Sequence, residues 1–113
     1  MADPANFYHL NAQIADVGTQ STVYFTVPRD GYLRQVETVL WGAITGADDV
    51  ITVTVNGTAA VPTITVANAS SAEGDYDHAE YFIPVSAGSR IKIGNSGAST
   101  GTAPLSYTVT LSG

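Results

Sequence analysis

Cysteine is absent from this 113-residue chain, which removes disulfide frameworks, thiolate metal sites and a cysteine nucleophile together. Charge is nearly as scarce. Asp, Glu, Lys and Arg make up 12% of the residues, against roughly a quarter in an ordinary soluble domain. Within that small set four residues are basic and ten acidic, for a formal charge of -6. A surface so poor in Lys and Arg is a weak match for nucleic acid, whose affinity comes largely from cations placed on phosphates. Long apolar runs are missing too, since no stretch approaches the roughly 20 residues of a membrane-spanning helix. The opening residues Met1-Ala2-Asp3-Pro4-Ala5-Asn6 are neither basic nor apolar, so no secretory signal peptide is expected. Asn56-Gly57-Thr58 and Asn68-Ala69-Ser70 are accordingly read as turn chemistry rather than glycan acceptors.

What is present is apolar content of 44%, enough to argue against intrinsic disorder. The length corresponds to one domain with a two-layer core. Apolar residues recur at every second position in several windows, which is the signature of half-buried strands. Val23, Phe25 and Val27 alternate with threonine and tyrosine, and Ile51, Val53 and Val55 with threonine. Ile64 and Val66, Ile91 and Ile93, and Tyr107, Val109 and Leu111 follow the same rule, as do Tyr81, Ile83 and Val85, where Phe82 blurs the pattern. Leu33, Val36 and Leu40 fit a helical spacing as well. Gly42 and the composition of residues 39–44 favour a strand with a bulge near Gln35. Asp30-Gly31, Asn56-Gly57, Ala87-Gly88 and the run 94–101 punctuate these strands, and Asn56-Gly57 predicts a type I′ hairpin turn between antiparallel partners.

The fold class expected is therefore all-β, a single-domain antiparallel β-sandwich, with a jelly roll of about eight strands as first choice. Residues 21–113 form the sandwich domain. Residues 1–20, with Phe7, Tyr8, Leu10 and Ile14 set among Asn, Gln, Asp and Ala, are either an N-terminal arm or a first strand. Residues 67–78 read as the longest loop.

Chemistry is hard to find. Gly97-Ala98-Ser99-Thr100-Gly101 matches the pattern of a nucleophilic serine elbow, but it lies in a loop-like stretch with no helix to follow, so no catalytic residue is assigned and no enzyme is expected. Asp75, Asp77, His78 and Glu80 form the densest cluster of donors and Asp48-Asp49 a second. Neither has the spacing of a calcium loop, and His9 and His78 alone do not make a zinc site, so no metal and no cofactor are assigned. Phosphate-cradling glycine motifs are absent. Trp41 with Tyr24, Tyr32, Tyr76 and Tyr81 could build a sugar-stacking platform on a sandwich face; as core residues they would simply fill the interior.

Several turn-and-strand signatures together resemble the small jelly-roll decoration, or cement, proteins of tailed-bacteriophage capsids. They are Pro28-Arg29-Asp30-Gly31-Tyr32-Leu33 with Val36, the run from Ala47 to Thr58, Val85-Ser86-Ala87-Gly88-Ser89-Arg90-Ile91-Lys92-Ile93, and the Gly/Ser/Thr loop at 94–102. The likeness spans about residues 22–112, and Ser89 departs from it where an acidic residue is expected. The resemblance implies a non-enzymatic virion component, made in the host cytoplasm. It would bind the major capsid protein on the outer capsid surface as a homotrimer and bridge capsomers, with no nucleic acid or membrane partner. Phe7, Tyr8 and Leu10 are the candidate anchor to the shell or to a neighbouring protomer. The alternative is a carbohydrate-binding or adhesin-type β-sandwich of a phage tail or bacterial surface protein. On either reading, the threonines at 22, 26, 52, 54, 63, 65, 108 and 110 are expected on outer faces, where uncharged hydroxyls are cheaper to desolvate than ions.

Overall fold

Alternating character becomes alternating burial in a computed structural model that describes residues 7–113. Nine strands follow one another: β1 (Phe7–Ile14), β2 (Thr22–Thr26), β3 (Gly31–Leu40), β4 (Asp49–Val55), β5 (Thr58–Ala59), β6 (Ile64–Val66), β7 (Tyr76–Val85), β8 (Arg90–Asn95) and β9 (Leu105–Ser112). They form a four-stranded sheet in the order β1-β9-β3-β7 and a second in the order β2-β8-β4-β5, where β6 also pairs with β4. Every pairing is antiparallel.

The order has a simple origin. β4 meets β5 and β6 across the Asn56-Gly57 turn, and around that tip β3 pairs with β7, β2 with β8 and β1 with β9. The chain is thus one long hairpin wound into two layers, the jelly-roll arrangement expected of eight strand positions. The eighth position is split, with β5 and β6 sharing one edge of β4. At the tip Asn56 has φ 49 and Gly57 φ 87, the paired positive values a type I′ turn needs. The Asn56 side chain is spent holding this turn to its neighbour: Arg90 N donates to Oδ1 at 2.8 Å, and Nδ2 donates to the buried Ser89 Oγ at 3.1 Å.

The inner faces meet in a core with Leu33, Val36, Leu105, Val109 and Leu111 on one side and Ile51, Val53, Ile91 and Ile93 on the other, all fully buried. Leu33 and Val36 both point inward although three residues apart. The β3 register against β9 slips between Leu33 and Gln35, which restores the alternation and places the bulge where the spacing predicted it. Within the described part of residues 1–20, Phe7–Ile14 form the strand β1. β1 pairs with β9 over eight residues, and Tyr8, Leu10 and Ala12 pack on the core. One boundary differs from expectation. Residues 76–78 belong to β7 rather than to the loop expected over 67–78, because β3 extends far enough to pair Val39 with Tyr76 and Glu37 with His78.

Candidate functional site

The outer face of the four-stranded sheet carries most of the exposed aromatic surface. Its ladder rows run Gln13–Ser106–Val39–Tyr76 and, next to it, Asn11–Thr108–Glu37–His78. Trp41 follows β3 on the same face and is 52% exposed. Its backbone N donates to Pro104 O at 3.0 Å, and its indole Nε1 donates to Ser106 Oγ at 2.7 Å, which lays the ring across the neighbouring strand. Tyr76, half exposed, stands one row away on β7, and the His78 ring stacks on it at 5.3 Å. Desolvation first, then a hydrogen bond and negative charge from Glu37 and the charge of Glu80, push the Tyr76 phenol pKa upward against a smaller effect of Gln35. The hydroxyl therefore stays protonated at neutral pH. Asp77, facing inward beside it, is also raised, by burial first and by Asp75, with His78 opposing. Thr108 Oγ1 donates to Asn11 Oδ1 at 3.1 Å, so polar groups close the row beside the aromatic floor.

The other end of this face is apolar and basic. Tyr32 and Phe82 stack with centroids 4.4 Å apart and planes within 6°, and the Arg34 guanidinium lies 5.2 Å from the Phe82 centroid and 5.5 Å from that of Phe7. Of the three anchor candidates only Phe7 faces outward, whereas Tyr8 and Leu10 turn inward, with Arg29 4.4 Å above the Tyr8 ring.

The five aromatic residues considered for a sugar platform do not converge. Trp41, Tyr76 and Tyr32 share this face, Tyr24 stands on the outer face of the other sheet, and Tyr81 is buried with its hydroxyl donating to Pro62 O at 2.6 Å. Inward and outward positions alternate strictly along β7, so Tyr81 goes in and Phe82 goes out. Phe82 is the functional candidate that sequence reasoning passed over; a strict parity count back from Val85 is the signal that finds it.

Ser99 is buried, and its hydroxyl donates to Ala47 O at 2.9 Å. Gly97 and Gly101, at φ 69 and 127, serve a loop that Thr45 and Thr100 bridge to the neighbouring loop. The acidic residues are likewise engaged locally. Asp48 Oδ1 accepts from Asn68 N, Asp75 Oδ2 from Ala72 N, and the buried Asp49 accepts from Asn95 Nδ2, Ser96 Oγ and Gly97 N. Among the described residues no three of His, Asp and Glu come together as metal ligands. A groove of about 770 Å³ follows the open edge between β5 and β7, lined mainly by apolar residues from Ala59 to Val61 and from Tyr81 to Pro84.

No protein-family model matches the sequence, and no curated protein does. Solved structures match it in fold. The catalytic unit of a thermostable GH87 alpha-1,3-glucanase from Streptomyces thermodiastaticus strain HF3-3 aligns with TM-score 0.54 and 16% identity, over 95% of this chain and 26% of the glucanase chain. A GH87 alpha-1,3-glucanase catalytic domain in complex with nigerose gives 0.56 and 13%, over 95% and 28%. This chain thus spans about a quarter of the glucanase chains. A family 35 carbohydrate binding module from Clostridium thermocellum gives 0.51 and 12%, over 95% of this chain and 91% of the module. At such identities the likeness establishes the antiparallel β-sandwich and nothing finer.

Proposed function

We propose that this chain is a non-catalytic β-sandwich module that binds carbohydrate on the Trp41 end of its four-stranded sheet. The observation that carries the reading is the exposed indole, fixed across β9 by its bond to Ser106. A preoriented aromatic plane offers a large apolar contact at little entropic cost. Tyr76, Glu37, Gln13 and Asn11 lie within two rows of it and supply the few donors and acceptors that orient a hydroxyl-rich ligand. The shared fold of a carbohydrate binding module supports the reading at the level of architecture. Affinity electrophoresis through gels containing neutral glucans tests it. Retardation of the native protein, abolished by Trp41→Ala, is the expected result, and free migration through every glucan would discard the idea.

A second reading has its own observation. The Phe7–Arg34–Phe82–Tyr32 patch is an exposed apolar surface at the far end of the same face, and such patches mark protein contacts. It suits a virion decoration protein that binds the major capsid protein as a trimer. There, binding only the assembled shell stabilises the shell by mass action, and three equivalent contacts add avidity. Saturable co-sedimentation with capsids, weakened by Phe82→Ser, together with a trimer in light scattering, is what this reading expects. A monomer that never co-sediments would eliminate it.

A further inference from the structure

The outer face of the second sheet belongs to neither site, and its chemistry is unusual for this chain. In one ladder row Tyr24 on β2, Lys92 on β8 and Thr54 on β4 stand side by side; the next row holds Thr22, Gly94 and Thr52, and the row on the other flank holds Thr26 and Arg90. The outward positions of β2, β4, β6 and β8 include no carboxylate. That is notable in a protein of net charge -6, because it leaves an all-cationic, hydroxyl-rich field on an acidic molecule. Among the described residues no carboxylate lies within ion-pair distance of Arg90 or Lys92. Tyr24, beside Lys92 and between Thr22 and Thr26 on the edge strand β2, is 63% exposed. Two depressions, of about 410 and 280 Å³, lie side by side along the strand direction and share Thr54 and Lys92 in their linings. Gly94, with no side chain, keeps the floor of the second one low.

We infer that this trough is a binding site for an anionic polysaccharide, one bearing carboxylate or sulfate groups. The inference rests on the carbohydrate reading and adds to it a second site and a ligand class. Each part of the ligand has a counterpart on the face. The anionic groups meet Arg90 and Lys92 in charge-assisted hydrogen bonds. A ring face stacks on Tyr24, and ring hydroxyls exchange bonds with the threonine hydroxyls, which both donate and accept. A protein partner is a poorer fit, since anchor residues of protein interfaces seek apolar pockets and this trough is paved with hydroxyls. Nucleic acid is poorer still, because two cations supply too few phosphate contacts.

The test is affinity electrophoresis of the full chain in alginate, heparin, dextran and poly-glutamate, at low and at moderate salt. Expected are retardation by alginate or heparin that salt weakens, and none by poly-glutamate. The Arg90→Gln, Lys92→Gln double variant, altered only at exposed positions, should bind the acidic polysaccharides roughly tenfold more weakly, as loss of charge-assisted bonds requires. Tyr24→Ala should lose affinity as well. Alginate against heparin decides between carboxylate and sulfate. Trp41→Ala should leave acidic binding intact while removing binding to dextran, which separates the two sites. Unchanged acidic binding in the double variant, or equal retardation by poly-glutamate, overturns the inference while leaving the Trp41 site standing. Failure of every polysaccharide to bind overturns both.

Discussion

Tyr107 is buried and its hydroxyl has no hydrogen-bond partner, a cost that a phenylalanine would not carry. Burial, with the charge of Asp49 added, holds the phenol pKa far above its ordinary 10.0. The unfolded chain therefore releases this proton near pH 10 while the folded chain retains it. Stability is complete below that pH and falls as pH rises beyond it. Tyr107→Phe is expected to gain about 1 kcal/mol at neutral pH and to flatten the alkaline decline, both read from urea midpoints at pH 7 and 10.5. Asp49 is the opposite case, a buried carboxylate whose oxygens accept from Asn95, Ser96 and Gly97. Asp49→Ala orphans those donors and should cost about 3 kcal/mol, checked by the same denaturation. Nothing in the run Ala47-Asp48-Asp49 itself marks the second aspartate as interior. Parity with Ile51, Val53 and Val55 puts it on the inward side, but the partners that make its burial tolerable come from the 95–97 loop and are not legible in the sequence.

Strands are where sequence and structure agree most closely. A period of two places Val23, Ile51, Ile64, Ile91 and Tyr107 in their elements directly, because a half-buried strand leaves no other solution for the apolar side chains. The bulge follows from the same logic, since Leu33 and Val36 cannot both face inward without it. Outer faces are less legible. Exposure of Trp41 and Phe82 breaks the rule that aromatics go inside, and strand parity rather than residue type shows which way each points. One contact between elements has no sequence signature at all. A Cβ on Gly31 would lie 1.8 Å from Ser112 O, so β3 can begin beside the end of β9 only with glycine there. Gly31→Ala should cost about 2–3 kcal/mol, seen as a lower melting temperature. The β1 strand makes a related point. Removing residues 1–12 strips the edge of β9 and is expected to destabilise the sandwich, so Phe7→Ser, which touches only the outer face, is the cleaner probe of docking.

Across the whole molecule the few charges are sorted. Arg29, Arg34, Arg90 and Lys92, all the Lys and Arg of the chain, sit near the end that carries the turns at 27–30, 56–57 and 86–89, where Asp30 is the one carboxylate within those turns. Six of the ten acidic residues, Asp16, Asp48, Asp49, Glu73, Asp75 and Asp77, lie toward the opposite end, and the molecule extends 49 Å along its longest axis. A separated charge distribution orients a protein in a field even when its net charge is repelled. At pH 7 and low ionic strength, the protein should be retained on a sulfonate resin despite its net charge of -6, and the Arg90→Gln, Lys92→Gln variant should flow through. Composition alone registers the scarcity of charge but not its sorting, because residues distant in sequence are brought to one pole by the winding of the hairpin.

That winding also pairs Phe7 with Ser112, so the described backbone enters and leaves the fold at adjacent points, about 5 Å apart as cross-strand partners are. Such a geometry behaves like a cassette. Spliced into a surface loop of a host protein, it would need almost no linker and would not pry its host apart, and the Trp41 end, at the far pole, would project away from the splice.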